Sequence, residues 1–159
     1  TGASALVVGS GGVGSAIAAS LAAAGVARLV LHDTQMASAE ALRDRLQQAW
    51  PALPVQLGEP DPAGFDLVVN ATPLGMEPGD PLPLDVSRLE ARTFVGEVVM
   101  RERITALLAA AQARGCRVQV GTDMLFEQIP AYLSFFGLPE ATPEQLQALA
   151  WIDRPPPAR

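Results

Sequence analysis

The feature that most constrains this chain is a glycine-rich turn near its start. The turn has the spacing G-x-G-x-x-G and consists of Gly9, Ser10, Gly11, Gly12, Val13 and Gly14. It follows the apolar run of residues 5–8 and opens a stretch with helical spacing of apolar residues. Because such a turn leaves the first N–H groups of the helix free, it predicts a dinucleotide pyrophosphate site. A purely structural turn is the alternative that the motif leaves open.

Strand and helix patterns alternate along the rest of the chain. Apolar runs predict strands at residues 5–8, 28–33, 54–57, 65–70, 93–99 and 117–120. Helical periodicity predicts helices at residues 13–24, 38–50, 104–114, 124–136 and 143–151, whereas prolines and glycines predict a loop over 72–83. This alternation favours an α/β fold with a doubly wound parallel sheet in three α/β/α layers. Ligands of such sheets bind beyond the carboxyl ends of the strands.

Length and composition predict one domain. The chain has 159 residues, of which 49% are hydrophobic, and this suits a single core over residues 1–152 with a flexible proline-rich tail at 153–159. The chain starts with Thr1 and a strand pattern follows almost at once, which we interpret as a partial chain.

Charge and residue usage exclude several function classes. A net charge of −6 disfavours a nucleic-acid partner. The sequence contains no lysine, which excludes Schiff-base chemistry within this chain, and Cys116 is the only cysteine, which excludes an internal disulfide and a cysteine-rich zinc site. We expect no metal and no membrane partner, and a cytoplasmic location is consistent with these features.

An acidic residue ends the second predicted strand. Asp33 lies nineteen positions after Gly14, close to the separation at which a carboxylate reaches the adenosine ribose of NAD. The 2′-phosphate of NADP would meet a like charge there, at a cost of about 4 kcal/mol at 4 Å and an effective dielectric of about 20. Residues 34–38 contain no arginine to offset this repulsion. We therefore expect NAD rather than NADP, with capping of the following turn as the alternative role of Asp33.

Two further strand-end segments give the chain a family resemblance. The segment Asn70-Ala71-Thr72-Pro73-Leu74-Gly75-Met76 follows the fourth predicted strand, and Gly121-Thr122-Asp123-Met124-Leu125-Phe126-Glu127-Gln128 follows the last. Together with the glycine turn, they resemble the C-terminal NAD(P)-binding domain of the shikimate/quinate dehydrogenase family. The resemblance implies a Rossmann-type domain of an oxidoreductase of aromatic amino acid biosynthesis.

The resemblance also implies roles for individual residues. In that family the corresponding positions contact the nicotinamide and its ribose, which implies as cofactor contacts Asn70, Thr72, Pro73, Leu74, Val98, Gly121 and Met124. Gln128 matches a glutamine that contacts the ring substrate across an interdomain cleft, and we expect it to be buried. The family's catalytic lysine and aspartate lie in a preceding substrate domain, so no catalytic residue is expected here. The chain alone is then expected to be inactive.

The sequence departs from the family pattern at a substrate contact. A tyrosine that touches the substrate in the family aligns with Met100, which leaves open whether the ring acid is shikimate, quinate or a relative. The expected reaction is hydride transfer between NAD(H) and such a hydroxylated acid. A stand-alone nucleotide-binding or redox-sensing module without catalysis is the alternative. Oligomeric state is left open, a homodimer included.

Other residues received structural interpretations. Asp123 is expected to be a helix N-cap rather than a polar group at the nicotinamide end. Glu97, inside an apolar strand, is interpreted as a paired structural carboxylate. Phe126, Phe135 and Phe136 fall at spacings typical of a core-facing helical stripe.

Overall fold

In a computed structural model, which describes residues 2–100 and 104–149, six parallel strands form one sheet with helices on both faces. The strand order is β3-β2-β1-β4-β5-β6. The strands are β1 (Ser4–Val8), β2 (Arg28–His32), β3 (Val55–Leu57), β4 (Leu67–Asn70), β5 (Phe94–Glu97) and β6 (Arg117–Gln119). The helices are α1 (Gly12–Ala23), α2 (Met36–Ala49), α3 (Ala106–Ala113), α4 (Gly121–Phe135) and α5 (Pro143–Leu149), with a short 3₁₀ turn at Val86–Arg88.

The central strands are buried on both faces, as their continuous apolar runs predicted. In β1, Ala5 and Val7 belong to the core cluster that includes residues of α1 and α2, whereas Leu6 and Val8 belong to the cluster that includes residues of α3. Successive side chains of a strand point to opposite faces, so one strand contributes to both hydrophobic layers. The predicted doubly wound, three-layer fold is confirmed.

The ends of several elements are set by local chemistry that the sequence indicated. Gly25 has φ +78° and follows the last turn of α1, a left-handed conformation that glycine adopts without strain. At the start of α5, the N–H of Thr142 donates to Gln145 Oε1 and the N–H of Gln145 donates to Thr142 Oγ1. This reciprocal pair is a capping box. Residues 72–83 contain no helix or strand, as expected.

Two expectations about α4 are wrong. The helix begins at Gly121 rather than at residue 124, so Asp123 lies in its first turn and Val120 is the N-cap. Phe126 is buried, but Phe135 and Phe136 are 83% and 69% exposed. Helical spacing placed these aromatic residues on one helix, but it does not show that a packing surface lies opposite each of them. The predicted domain end at residue 152 and the tail at 153–159 lie outside the described residues.

Candidate functional site

The glycines of the first turn fall into two geometric groups. A Cβ on Gly14 would lie 2.0 Å from the carbonyl oxygen of Gly9, and a Cβ on Gly9, which has φ +101°, would lie 2.8 Å from the carbonyl of Ala71. Nothing lies within 4 Å of the Cβ positions of Gly11 and Gly12. Gly9 and Gly14 are therefore required by packing, whereas Gly11 and Gly12 border open space.

That open space adjoins the amino end of α1. No side chain caps the helix, its first turn contains no acidic residue, and the first intrahelical hydrogen bond runs from Ser15 N to Gly11 O at 2.8 Å. The N–H groups of the first turn therefore have no partner within the helix. Uncapped amides and the positive end of the helix dipole together form a site that suits a phosphate group.

The Asp33 carboxylate is hydrogen-bonded directly to the glycine turn. Its Oδ2 accepts a hydrogen bond from Ser10 N at 2.6 Å, and its Oδ1 accepts one from Gln35 N at 2.8 Å. The second bond is the turn-capping role that the sequence left open. A carboxylate has about four lone-pair sites, so Asp33 retains acceptor capacity for a ribose hydroxyl. The Ser10 hydroxyl is itself buried and forms no hydrogen bond within the described part of the chain.

The loop after β4 is held by its own side chains. Asn70 is fully buried, and its Oδ1 accepts hydrogen bonds from Thr72 N at 3.1 Å and from Thr72 Oγ1 at 2.6 Å. Asn70 Nδ2 donates to Leu74 O at 3.0 Å, and Leu74 N donates to Thr72 Oγ1 at 3.2 Å. These bonds close a compact loop over residues 70–74 whose backbone contacts Gly9.

Gly9 and Gly11 of the glycine turn, Asp33 and the β4 loop border one cleft of about 450 Å³ at the carboxyl ends of the strands, whereas Ser10 and Gly12 line an adjoining groove between α1 and α2. We call the first of these two hollows the carboxyl-end cleft. It is lined by Val8, Gly9, Gly11, His32, Asp33, Thr34, Gln35, Ala71, Thr72, Pro73, Leu74 and Pro83. Six lining residues were not assigned as contacts from the sequence: Val8, His32, Thr34, Gln35, Ala71 and Pro83. The first five lie within two residues of assigned ones, whereas Pro83 lies nine residues beyond the assigned loop and carries no signal of its own.

The residues predicted for the nicotinamide end lie away from this cleft. Val98 is half-buried after β5, and its N–H donates to Asn70 O at 3.1 Å. Gly121 begins α4 in close contact with the backbone of Val99, where a Cβ would lie 2.2 Å from the Val99 carbonyl oxygen. Met124 lines a separate groove between α1 and α4, together with Val13. Gly121 is buried, Val98 and Met124 are half-buried, and of the three only Met124 lines the groove.

Gln128 differs from its prediction. It lines the same α1–α4 groove, but its side chain is exposed, and its Oε1 accepts a hydrogen bond from Tyr132 Oη at 3.4 Å. Burial of Gln128 would require a further protein surface facing this groove, and the described residues do not supply one.

Glu97, interpreted from the sequence as a paired structural carboxylate, is buried, and its hydrogen-bond partner is a hydroxyl group rather than a cation. It is 4% exposed, its Oε2 accepts a hydrogen bond from Thr105 Oγ1 at 3.0 Å, and Asn70 is its partner in the register of β4 and β5. Within residues 2–100 and 104–149, no basic side chain forms a salt bridge with it. Burial raises the pKa of the Glu97 carboxyl, although the Thr105 hydroxyl and the neighbouring Asn70 side chain act in the opposite direction.

Two other kinds of site are not found in the described part of the chain. No helix there combines the length and apolar character that a membrane crossing requires. The same residues contain no cluster of three histidine, cysteine, aspartate or glutamate side chains arranged to hold a metal ion.

The fold and the uncapped glycine turn define a Rossmann-type domain of the dinucleotide-binding class. The chain is 39% identical to a shikimate dehydrogenase (NADP(+)) of Rhodopseudomonas palustris over 159 aligned positions, which cover 96% of this chain and 55% of that protein. It is also 39% identical to a quinate/shikimate dehydrogenase (NAD(+)) of Corynebacterium efficiens, over 89% of this chain and 51% of the relative. No family model matches the sequence.

Among solved structures, quinate dehydrogenase from Corynebacterium glutamicum in complex with NAD is similar to this chain with a TM-score of 0.80 and 38% identity. The similarity covers 94% of this chain and 56% of that protein. The chain is thus similar, over almost all of its own length, to members of the shikimate/quinate dehydrogenase family. It spans about half the length of the relatives it matches, and that half is their C-terminal, NAD(P)-binding part.

Proposed function

We propose that this domain binds NAD(H) in the carboxyl-end cleft and serves as the cofactor half of a dehydrogenase acting on a hydroxylated ring acid such as shikimate or quinate. The observation that carries the proposal is the uncapped amino end of α1, where Gly11 and Gly12 leave room for a diphosphate. The relatives named for NAD(+) and NADP(+) each contain a region similar to this chain, and that region makes up about half of their length.

In this proposal the residues of the cleft bind and orient the cofactor. The first-turn amides of α1 hold the diphosphate, Asp33 accepts from the adenosine ribose, and the loop of residues 70–74 forms the wall toward the nicotinamide ribose. Bound NAD⁺ supplies a hydride acceptor. Asp33 favours NAD over NADP because its carboxylate would repel a 2′-phosphate.

The proton-transfer groups would lie outside these 159 residues. The sequence contains no lysine, and the exposed Gln128 needs a facing surface before it can help to enclose a substrate. We therefore expect the isolated chain to bind NADH but not to oxidise shikimate or quinate. A longer protein that adds a domain with a lysine and an aspartate would be active.

Titration of the isolated chain with NADH and NADPH, followed by fluorescence, tests the cofactor proposal. Gly11→Ala adds a methyl group that meets no atom of the chain but projects toward the proposed diphosphate. We expect this variant to keep its Tm and to bind NADH at least tenfold more weakly, about 1.4 kcal/mol. Gly96→Ala is the matched control, since its methyl group meets only ordinary contacts at 3.9 and 4.0 Å. Absence of saturable binding of either nucleotide to the unmodified chain would overturn the proposal.

A second candidate is a nucleotide-binding module that docks on another protein without catalysis. The exposed aromatic side chains of Tyr132, Phe135 and Phe136 favour it, because an apolar surface of this kind is typical of an interface. The coding sequence upstream of Thr1 discriminates between the two candidates. A preceding α/β domain with a lysine and an aspartate supports the dehydrogenase, and its absence supports the module.

A further inference from the structure

His32, the single histidine of the chain, is the last residue of β2 and lines the carboxyl-end cleft next to Asp33. Its backbone carbonyl accepts a hydrogen bond from Gly9 N at 2.8 Å, so the residue is joined directly to the glycine turn. Its side chain is half-buried. The roles proposed for the cleft residues leave this side chain without a function.

The His32 ring is anchored through one of its nitrogens. The distance between Nδ1 and the carbonyl oxygen of Gly58 is 2.9 Å, and because a carbonyl oxygen can only accept, Nδ1 carries the proton and donates it. Gly58 is itself held beyond the end of β3, because its N–H donates to Leu31 O at 3.1 Å. A Cβ on Gly58 would lie 2.8 Å from Val30 Cγ1, so the acceptor lies close against β2.

The other ring nitrogen of His32, Nε2, forms no hydrogen bond within residues 2–100 and 104–149. Because Nδ1 already carries a proton, Nε2 is the nitrogen that can take up a second one and give the ring a positive charge. Imidazole is the side chain that ordinarily changes its charge between about pH 5 and 8. The bond to Gly58 O persists in both forms, so the ring can change its charge without changing its position.

Few charged groups surround this ring. Of the described residues that line the cleft, His32 and Asp33 alone have ionisable side chains. The neighbouring strands β1 and β3 contain no charged residue, and beyond β3 the exposed Glu59 follows Gly58. The charged side chains of α2, which packs against β2, are Glu40, Arg43, Asp44 and Arg45. None of these α2 residues lines the cleft, so protonation of His32 changes the charge beside Asp33 from negative toward neutral.

We propose that His32 makes the selection between NAD and NADP depend on pH. With a neutral ring, Asp33 alone opposes the 2′-phosphate of NADP, whereas a protonated ring places a positive charge beside Asp33 and offsets that repulsion. Discrimination against NADP is then strong in mildly alkaline solution and weaker in mildly acidic solution. This inference deepens the proposed function of the carboxyl-end cleft and rests on it.

Calorimetric titration with NAD⁺ and NADP⁺ at about pH 8 and about pH 5.5 measures the selection. In the unmodified chain, the Kd for NADP⁺ divided by the Kd for NAD⁺ should fall at least fivefold, as an order of magnitude, between the two pH values. Part of this fall comes from the 2′-phosphate, which takes up a proton at about pH 6. His32→Asn keeps an N–H donor near the position of Nδ1 but cannot become charged, so its fall should be smaller by at least about threefold.

Glu59→Gln is the matched control, because it removes an exposed ionisable group beside Gly58 and leaves the His32 ring intact. Its fall should equal that of the unmodified chain. Equal falls in the unmodified chain and His32→Asn would overturn the proposal, as would loss of the effect in Glu59→Gln. If the asparagine variant does not fold, His32→Gln, which also stays neutral, replaces it. If neither nucleotide binds at either pH, the proposed function fails and the selection fails with it, whereas binding with equal falls overturns the role of His32 alone.

A second measurement follows the proton on His32 itself. Because the chain has one histidine, the ring signals in a ¹H–¹⁵N NMR spectrum belong to this residue. At about pH 8 the free chain should show a protonated Nδ1 and an unprotonated Nε2, and the opposite tautomer would overturn the proposal. At the pH where the free ring is half charged, saturation with NADP⁺ should raise the ratio of charged to neutral ring at least about threefold above that with NAD⁺, because linkage is reciprocal. Equal ratios with the two nucleotides would overturn the proposal.

Discussion

The two ends of the proposed cofactor site differ in how completely this chain builds them. Around the glycine turn, backbone amides, the Asp33 carboxylate and the β4 loop are joined by hydrogen bonds of 2.6–3.2 Å and enclose a cleft. At the other end, Met124 and Gln128 line an open groove, and Gln128 is exposed. The end proposed for adenosine and diphosphate is therefore shaped by contacts within the domain, whereas the described residues leave the end proposed for the substrate open.

The largest effect on stability is expected at the glycine turn, where the backbones of Gly9 and Gly14 lie in close contact. Gly14→Ala places a methyl group 2.0 Å from the carbonyl oxygen of Gly9, which neither backbone can avoid without moving. We expect a loss of about 3 kcal/mol of stability and a Tm lower by roughly 6–12 °C. Thermal unfolding followed by circular dichroism measures the change, with Gly96→Ala as the control. A Tm within about 2 °C of that of the unmodified chain would contradict this expectation, because it would show that the turn can shift to accommodate the methyl group.

An intermediate effect is expected at Asp33. The unmodified chain should bind NADH at least tenfold more tightly than NADPH, because a like charge opposes the 2′-phosphate. Asp33→Asn removes the charge and keeps only one of the two acceptor oxygens, so the preference should fall toward unity, and the loss of one backbone hydrogen bond of about 1 kcal/mol should lower Tm by roughly 2–4 °C. Paired titrations measure the ratio, with the exposed Glu40→Gln as the control. A ratio that does not change in Asp33→Asn would assign the selectivity to another group.

The smallest effect is expected at the open end. Gln128→Ala removes an exposed side chain that lies outside the carboxyl-end cleft. NADH affinity of the isolated chain should change by less than about twofold, and Tm should shift by no more than about 1 °C. A tenfold loss of NADH affinity, measured by titration, would place Gln128 in the cofactor site. The contrast between the two ends would then be lost.

The same contrast explains what the sequence could predict. Periodicity and the glycine spacing determine local structure and burial within the sheet, so the strands, their parallel pairing and the turn at Gly9–Gly14 could be predicted. Periodicity also placed Phe135 and Phe136 on one helix, but their exposure depends on which surface packs against that helix. The prediction that Gln128 is buried was wrong for the same reason.

Glu97 illustrates a different limit of sequence reasoning. A charged residue in an apolar strand suggested a paired carboxylate without naming the partners, which are the Thr105 hydroxyl that donates to it and Asn70 in register on the neighbouring strand. Those partners lie eight and 27 residues away and carry no local signal. The three-dimensional register of β4 and β5, which pairs Asn70 with Glu97, was needed to find them.

The central claim is that the amino end of α1 holds a diphosphate while Asp33 binds the adenosine ribose. A crystal structure of this chain soaked with NAD⁺ tests it most directly. The account predicts diphosphate oxygens within hydrogen-bond distance of the first-turn amides at Gly12 and Val13, and a ribose hydroxyl on the Asp33 carboxylate. Diphosphate density at any other place, or a ribose turned away from Asp33, would contradict it.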